Sequence, residues 1–336
     1  MKKTRIAING FGRIGRATFK AILEGYPQLE VVAINDLTDP ATLAHLLAYD
    51  SCYGKFHLPV SVAKEGIKVK GRKYPVFAQK DPSLLPWKKL SVDVVLECTG
   101  HFRDEAGARL HIFAGAKKVV ISAPAKGKIK TIVYGVNQKS IKVSDQVISC
   151  ASCTTNCLAP VTEVIRQKFG IKKALMSTVH AYTADQNLVD GPHKDLRRAR
   201  GAATNIVPTT TGAAIATTQA IPVLKDRFDG VAFRVPVPVG SLCDTVYLLE
   251  KKTTVEAVIS ALEKAAASSL QGIIEVSREE LVSSDIVGNF HSSIVDVNLT
   301  KLVGGDLLKL TCWYDNEWGY SHRLADVAAY IGKLIK

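Results

Sequence analysis

The chain has 336 residues, 47% of them apolar and 22% charged, which is longer than one hydrophobic core usually supports and excludes disorder, collagen and coiled coil. Lysine and arginine outnumber aspartate and glutamate 44 to 31, a net charge of +13, so anionic ligands are expected and phosphorylated metabolites and nucleic acid both fit. No apolar run approaches the roughly 18 to 20 residues of a membrane helix, the start of the chain has no signal-peptide pattern, and seven scattered cysteines point to a reducing, cytoplasmic setting.

Thr4–Asn9 reads as a short buried strand, and Gly10-Phe11-Gly12-Arg13-Ile14-Gly15 follows it directly. Ile14, Ala17, Thr18, Ala21 and Ile22 then recur at helical spacing as far as Gly25, and a second strand over Val31–Ile34 ends at Asn35-Asp36. A lone G-x-G-x-x-G is weak, but here it follows a strand, opens a helix and is trailed by an acidic residue 21 positions after Gly15. Gly10 serves the tight turn, Gly12 the approach of backbone to a pyrophosphate, and Gly15 the packing of helix on strand, while the helix N-terminus offers unpaired N–H groups. Asp36 accepts from ribose hydroxyls and repels a 2′-phosphate, which favours NAD over NADP.

Short apolar runs follow at Val92–Leu96, Lys118–Ser122, Thr131–Tyr134 and Val147–Ser149 without strict alternation, as expected of parallel strands covered on both faces. Beyond about residue 150, longer β-prone stretches at 174–182, 230–237, 243–250, 292–297 and 307–314 alternate with helical patterns at 153–169, 209–220 and 254–269. The expectation is a Rossmann doubly wound domain followed by an α+β domain with a mainly antiparallel sheet. A final helical pattern, Ser321–Ile335, carries Leu324, Val327, Ala328 and Ile331 on one face and is expected to pack back on the first domain.

Ser149-Cys150-Ala151-Ser152-Cys153 leaves a strand and enters a helix. A thiol at a helix N-terminus has its thiolate stabilised and its pKa lowered, and Cys153 occupies that place. No second C-x-x-C or H-x-x-x-H completes a metal set, so no metal is expected. A nucleophilic cysteine needs a base, and spacing alone does not choose among eight histidines; His180, toward the end of a strand, is one candidate.

Four blocks resemble phosphorylating glyceraldehyde-3-phosphate dehydrogenases in order and spacing: Ile8–Arg16, Ser152–Pro160, His180–Gln186 and Trp313–Ser321. The resemblance implies phosphorylating oxidation of glyceraldehyde 3-phosphate with NAD and inorganic phosphate, a step of glycolysis and gluconeogenesis, with Cys153 as nucleophile and His180 as its base. It places phosphate contacts at Ser152, Thr154, Thr183, Arg200, Thr211, Gly212 and Arg234, and cofactor contacts at Gly10, Gly12, Arg13, Ile14, Gly15, Asp36, Lys80, Ser122 and Asn316. Lys80 stands where arginine is frequent in the family. It further implies an NAD-binding domain of 1–152 with 316–336, a catalytic domain of 153–315, and a homotetramer in which the loop Asp185–Arg200 reaches toward a neighbouring cofactor site. A dehydrogenase acting on erythrose 4-phosphate is the nearest enzymatic rival. Nucleic acid is not expected as a primary partner, because the basic stretches Lys64–Lys73 and Lys126–Lys142 lack interleaved stacking aromatics.

Overall fold

A computed structural model describes residues 2–335. In chain order the elements are β1 Thr4–Asn9, α1 Arg13–Gly25, β2 Leu29–Asn35, α2 Pro40–Ala48, β3 Tyr49–Asp50, β4 Gly54–Lys55, β5 Val60–Ala63, β6 Gly66–Val69, β7 Arg72–Phe77, β8 Val94–Glu97, α3 Glu105–Phe113, β9 Lys118–Ile121, β10 Lys130–Thr131 and β11 Val147–Ser149. They continue with α4 Cys153–Phe169, β12 Ile171–Ala181, β13 Val207–Thr210, α5 Ala213–Ala220, β14 Phe228–Val235, β15 Ser241–Leu249, α6 Val255–Ala266, β16 Ile274–Ser277, β17 Ser293–Asp296, β18 Lys301–Val303, β19 Leu307–Tyr314 and α7 Trp318–Leu334. Two compact units result: residues up to 134 with 138–151 and those from 321 on, and residues 135–137 with 152–320. Asn316 therefore lies in the second unit.

The first unit holds one sheet in the order β10-β11-β9-β8-β1-β2-β7-β6-β5. Its part from β10 to β7 is parallel and runs outward in both directions from β1, the doubly wound arrangement in which the strand order reverses between β1 and β8. Burial on both faces explains the unbroken apolar runs: every residue of β8, β9 and β11 is buried. The basic stretch around 64–73 forms the antiparallel hairpin β5-β6-β7, whose exposed lysines lie toward the sheet's edge and discourage pairing there. Leu324, Val327, Ala328 and Ile331 of α7 are buried as the periodicity predicts, and Gly332 passes so close to Thr4 that a Cβ would fall 2.1 Å from its Oγ1.

The second unit carries a sheet in the order β13-β14-β12-β15-β19-β17-β16, with β18 on the flank of β19. It is antiparallel except at β12–β14 and β16–β17. The helical pattern expected from 209 begins only at Ala213, because Val207–Thr210 forms the edge strand β13. Pro208 lacks an N–H and suits an edge. α4 starts where Ser152 Oγ accepts the Thr155 N–H at 3.1 Å and ends at Gly170, whose φ of +69° lies in the left-handed region.

Candidate active site

In the first unit, α1 starts at Arg13 with Gly12 as an N-cap that supplies no side-chain acceptor, and its first turn contains no acidic residue. The N-cap thus contributes no side chain that would compete with an anion at the start of the helix. Gly10 has φ +87°, and a Cβ there would come within 2.7 Å of Thr99 N; a Cβ on Gly15 would lie 2.2 Å from Gly10 O. Both positions require glycine for the reasons read from the sequence. Asp36 accepts the Phe11 N–H at 2.7 Å through one oxygen and the Thr38 N–H at 2.9 Å through the other, which holds the carboxylate beside the glycine turn. These features fit a dinucleotide's pyrophosphate and adenosine ribose. Arg13 pairs with Asp50 through two bonds of 3.1 and 3.2 Å, Ile14 is half-buried, Lys80 is exposed, and Ser122 hydrogen-bonds the Cys98 thiol.

In the second unit the first residue of α4, Cys153, places Sγ 3.4 Å from His180 Nε2, and His180 is the tenth residue of β12. The two positions lie 27 residues apart in sequence, and the β12–β14 pairing sets Arg234 directly opposite His180. Arg234 Nη1 donates to Ala181 O at 2.9 Å and lies 2.8 Å from His180 Nδ1, and Nδ1 lies 2.6 Å from the same carbonyl; the tautomer with Nδ1–H donating to Ala181 O leaves Nε2 as an acceptor facing Cys153.

The electrostatics differ from the sequence expectation of a lowered thiol pKa. Burial pushes the Cys153 thiol up to about 11, outweighing Arg234 and the Thr154 donors that act in the opposite sense. Burial also pulls His180 down to about 3, and Arg234 adds to this. At neutral pH both partners are uncharged, and ionisation of the thiol goes together with protonation of the imidazole.

Tyr314 is fully buried and its hydroxyl bridges Thr154 Oγ1 and Thr178 Oγ1, both at 2.9 Å, with its ring packed edge-on to His180 at a centroid distance of 5.9 Å. It thereby ties the first turn of α4 to β12. Tyr314→Phe removes one bond from each threonine hydroxyl, while Thr178 keeps Leu242 O and Thr154 keeps the Cys153 thiol, at a cost of about 0.5–1.5 kcal/mol per lost bond. The expected outcome is a lower melting temperature together with a reduced iodoacetamide rate at Cys153. An unchanged alkylation rate would show that the bridge does not set the geometry of the pair.

Of the phosphate positions, Ser152 caps α4 with its hydroxyl, Thr154 shares its hydroxyl between Tyr314 and the Cys153 thiol, and Thr211 Oγ1 accepts the Ala213 N–H at 3.1 Å. Thr183 is half-buried, and Gly212 is the exposed N-cap of α5. Arg200 is exposed and pairs with Asp190 at 2.7 Å. The arginine that depresses His180 and Arg234 electrostatically is instead Arg198, which donates to Thr209 Oγ1 at 3.0 Å, to Thr210 O at 3.1 Å and to Asp185. The Arg197-Arg198-Ala199-Arg200 run gives no periodic clue to which arginine faces inward, since the loop is irregular. Arg234 Nε is buried without a hydrogen-bond partner among the described residues, an orphaned donor that suits an anion. Asn316 Oδ1 accepts from Gly240 N and Ser241 Oγ, both at 3.1 Å, which leaves its amide N–H₂ unused in those bonds. No group of metal-ligating side chains occurs among the described residues.

A doubly wound unit with an uncapped glycine turn and an acidic strand end, joined to an α+β unit holding a thiol–imidazole pair flanked by arginines, defines a nicotinamide-nucleotide dehydrogenase with a cysteine site. Residues 4–105 match the family described as glyceraldehyde 3-phosphate dehydrogenase, NAD binding domain, and residues 152–316 match its C-terminal domain. The chain is 51% identical over 338 residues to the glyceraldehyde-3-phosphate dehydrogenase of Clostridium pasteurianum, covering 99% of this chain and 100% of that one. It is 52% identical to those of Geobacillus stearothermophilus, covering 97% and 98%, and Thermotoga maritima, covering 98% and 99%. The chain belongs to the glyceraldehyde-3-phosphate dehydrogenase family and is an NAD-dependent oxidoreductase.

Proposed function

We propose that the chain oxidises glyceraldehyde 3-phosphate to 1,3-bisphosphoglycerate through covalent chemistry at Cys153. The observation that carries this reading is the 3.4 Å approach of Cys153 Sγ to His180 Nε2 at the start of α4. His180 takes the thiol proton as sulfur attacks the aldehyde carbon and returns it to the carbonyl oxygen, giving a hemithioacetal beside a neutral imidazole. It then takes the hydroxyl proton as hydride leaves that carbon. NAD, when bound, accepts the hydride. The thioester left on sulfur is attacked by inorganic phosphate, which releases the acyl phosphate and the thiolate.

Two anions must then be accommodated, the substrate's phosphate and the attacking one. Arg234, with its orphaned Nε, and Arg198 are the charged groups nearest His180, and Thr183, Thr211 and the N–H groups at the start of α5 add uncharged donors. Arg198 takes the part that the sequence assigned to Arg200. For the cofactor, Gly10, Gly12, Gly15 and the start of α1 receive the pyrophosphate, Asp36 the ribose, and Arg13, Ile14, Lys80, Ser122 and Asn316 border the remainder.

Leu188, Val189 and Leu196 on the loop after β12 are more than 70% exposed, and Leu175, Val231 and Val246 stand out from one face of the second sheet. Apolar surface of this extent supports a homotetramer in which other copies cover it. A cytoplasmic location rests on seven cysteines that all remain thiols. No helix among the described residues is long and apolar enough to cross a membrane.

The testing experiment follows absorbance at 340 nm with NAD and aldehyde, with phosphate absent and then present. The expected result is a burst near one NADH per site without phosphate and continuous turnover with it. Steady turnover independent of phosphate would remove the thioester route, and faster turnover of erythrose 4-phosphate would reassign the substrate.

A further inference from the structure

The structure assigns Glu97 and His111 as positioning residues for NAD, acting through one buried network that holds four loops of the cofactor cradle in register. This inference rests on the cofactor assignments of Gly10, Asp36 and Lys80 above. Glu97 ends β8, immediately beside β1 at the point where the strand order reverses, which in doubly wound sheets is where the ligand crevice opens.

Glu97 is 1% exposed and His111 is entirely buried, yet neither belongs to an apolar stripe that explains it. A buried carboxylate is tolerated only when its lone pairs are matched by donors. One oxygen accepts the Thr99 N–H at 2.8 Å and the Thr99 hydroxyl; the other accepts Asn9 Nδ2 at 2.6 Å and faces His111 Nε2 at 3.0 Å. Trp87 Nε1 donates to His111 Nδ1 at 3.0 Å, so the neutral ring carries its proton on Nε2, aimed at the carboxylate. Beyond Asn9 the chain of bonds continues. Asn35 Nδ2 donates to Asn9 Oδ1 at 2.7 Å and to Gln79 O at 2.9 Å, and Asn35 Oδ1 accepts the Gln79 N–H at 2.9 Å.

Three members of this network directly precede a cofactor position, two of them at the ends of β1 and β2 and the third two residues past β7. Asn9 precedes Gly10, Asn35 precedes Asp36, and Gln79 precedes Lys80. Thr99, fixed through both its N–H and hydroxyl, is the residue whose backbone lies against Gly10, where a Cβ would come within 2.7 Å. Backbone bonds carry the ladder one residue past the strand termini, from Gly10 N–H to Asn35 O, Asp36 N–H to Phe77 O and Cys98 N–H to Asn9 O, but the N–H groups of Thr99 and Gln79 go to side chains, so the spacing of the loops at those two residues falls to side-chain bonds. The network supplies that spacing, and a pre-spaced cradle spares the ordering cost on binding.

Glu97→Gln keeps shape but turns a donor toward Thr99 or toward Asn9 and His111. The expected result is an increase of about 10-fold in the Kd for NAD, measured by calorimetry. The KM for aldehyde at saturating NAD and the iodoacetamide rate at Cys153 should stay within about twofold. His111→Phe should show the same split. A Kd for NAD within twofold of wild type in a folded variant overturns the inference, as does an equal loss in every readout. Asp36→Ala is the control: if it too leaves the Kd unchanged, the cofactor reading itself has failed. Should the variants not fold, amide exchange of the wild-type protein without NAD decides. Slow exchange at Thr99 that NAD barely slows further supports a pre-spaced cradle, whereas fast exchange that NAD suppresses overturns it.

Discussion

Cys153→Ser is expected to lower NADH formation from aldehyde by a factor of about 10⁴ or more, because a hydroxyl in the same place is a far weaker nucleophile and cannot form the thioester. Cys157, one turn further into α4, will not substitute for it: that thiol is fully buried against Ser293 and the Cys312 carbonyl, and burial holds it well above the usual range. NAD affinity should persist in the variant, since the cofactor positions of the first unit lie elsewhere in the chain. Calorimetry with NAD beside the 340 nm assay checks both halves, and residual turnover above about 1% of wild type would end the covalent mechanism.

His180→Asn should cost a factor of about 10² to 10⁴ in kcat at pH 7. The reason lies in the two opposed shifts. With the imidazole present, the thiol proton has an acceptor 3.4 Å away; without it, sulfur must ionise alone against burial that holds it near 11. The variant's alkylation rate should therefore fall below that of wild type at pH 7 and climb steeply only above pH 9.

Stability should respond to pH in a matching way. The folded state holds His180 below its ordinary 6.5, so between pH 6.5 and about 3 the unfolded chain binds more protons and acid destabilises the fold. Between pH 9 and about 11 the sign is set by Cys153, which stays protonated in the folded state while the unfolded thiol ionises, so rising pH removes stability. Urea midpoints measured across both windows should show a shallower acid slope for His180→Asn and a shallower alkaline slope for Cys153→Ser. Unchanged slopes would mean that the buried pair does not titrate as its surroundings dictate.

Features governed by contiguous backbone were legible from the residues alone. The strand, glycine turn and helix over 4–25 appear at the expected limits, Gly10 and Gly15 meet the close approaches that require glycine, and Cys153 is the first residue of α4. Each depends on neighbours a few positions away, and local φ, ψ and capping chemistry leave few alternatives. The edge strand β13 was masked by helical spacing that continues through 209–220, and only the pairing with β14 reveals it.

The composition of the site was decided by folding. Which of eight histidines faces the thiol follows from the pairing of β12 beneath α4, and which arginine joins His180 follows from the β12–β14 register and from the path of an irregular loop that turns Arg198 inward and Arg200 outward. Even the direction of the thiol's pKa reversed, because a helix terminus acts over one turn and can be read locally, whereas desolvation sums over every atom that packs around the sulfur.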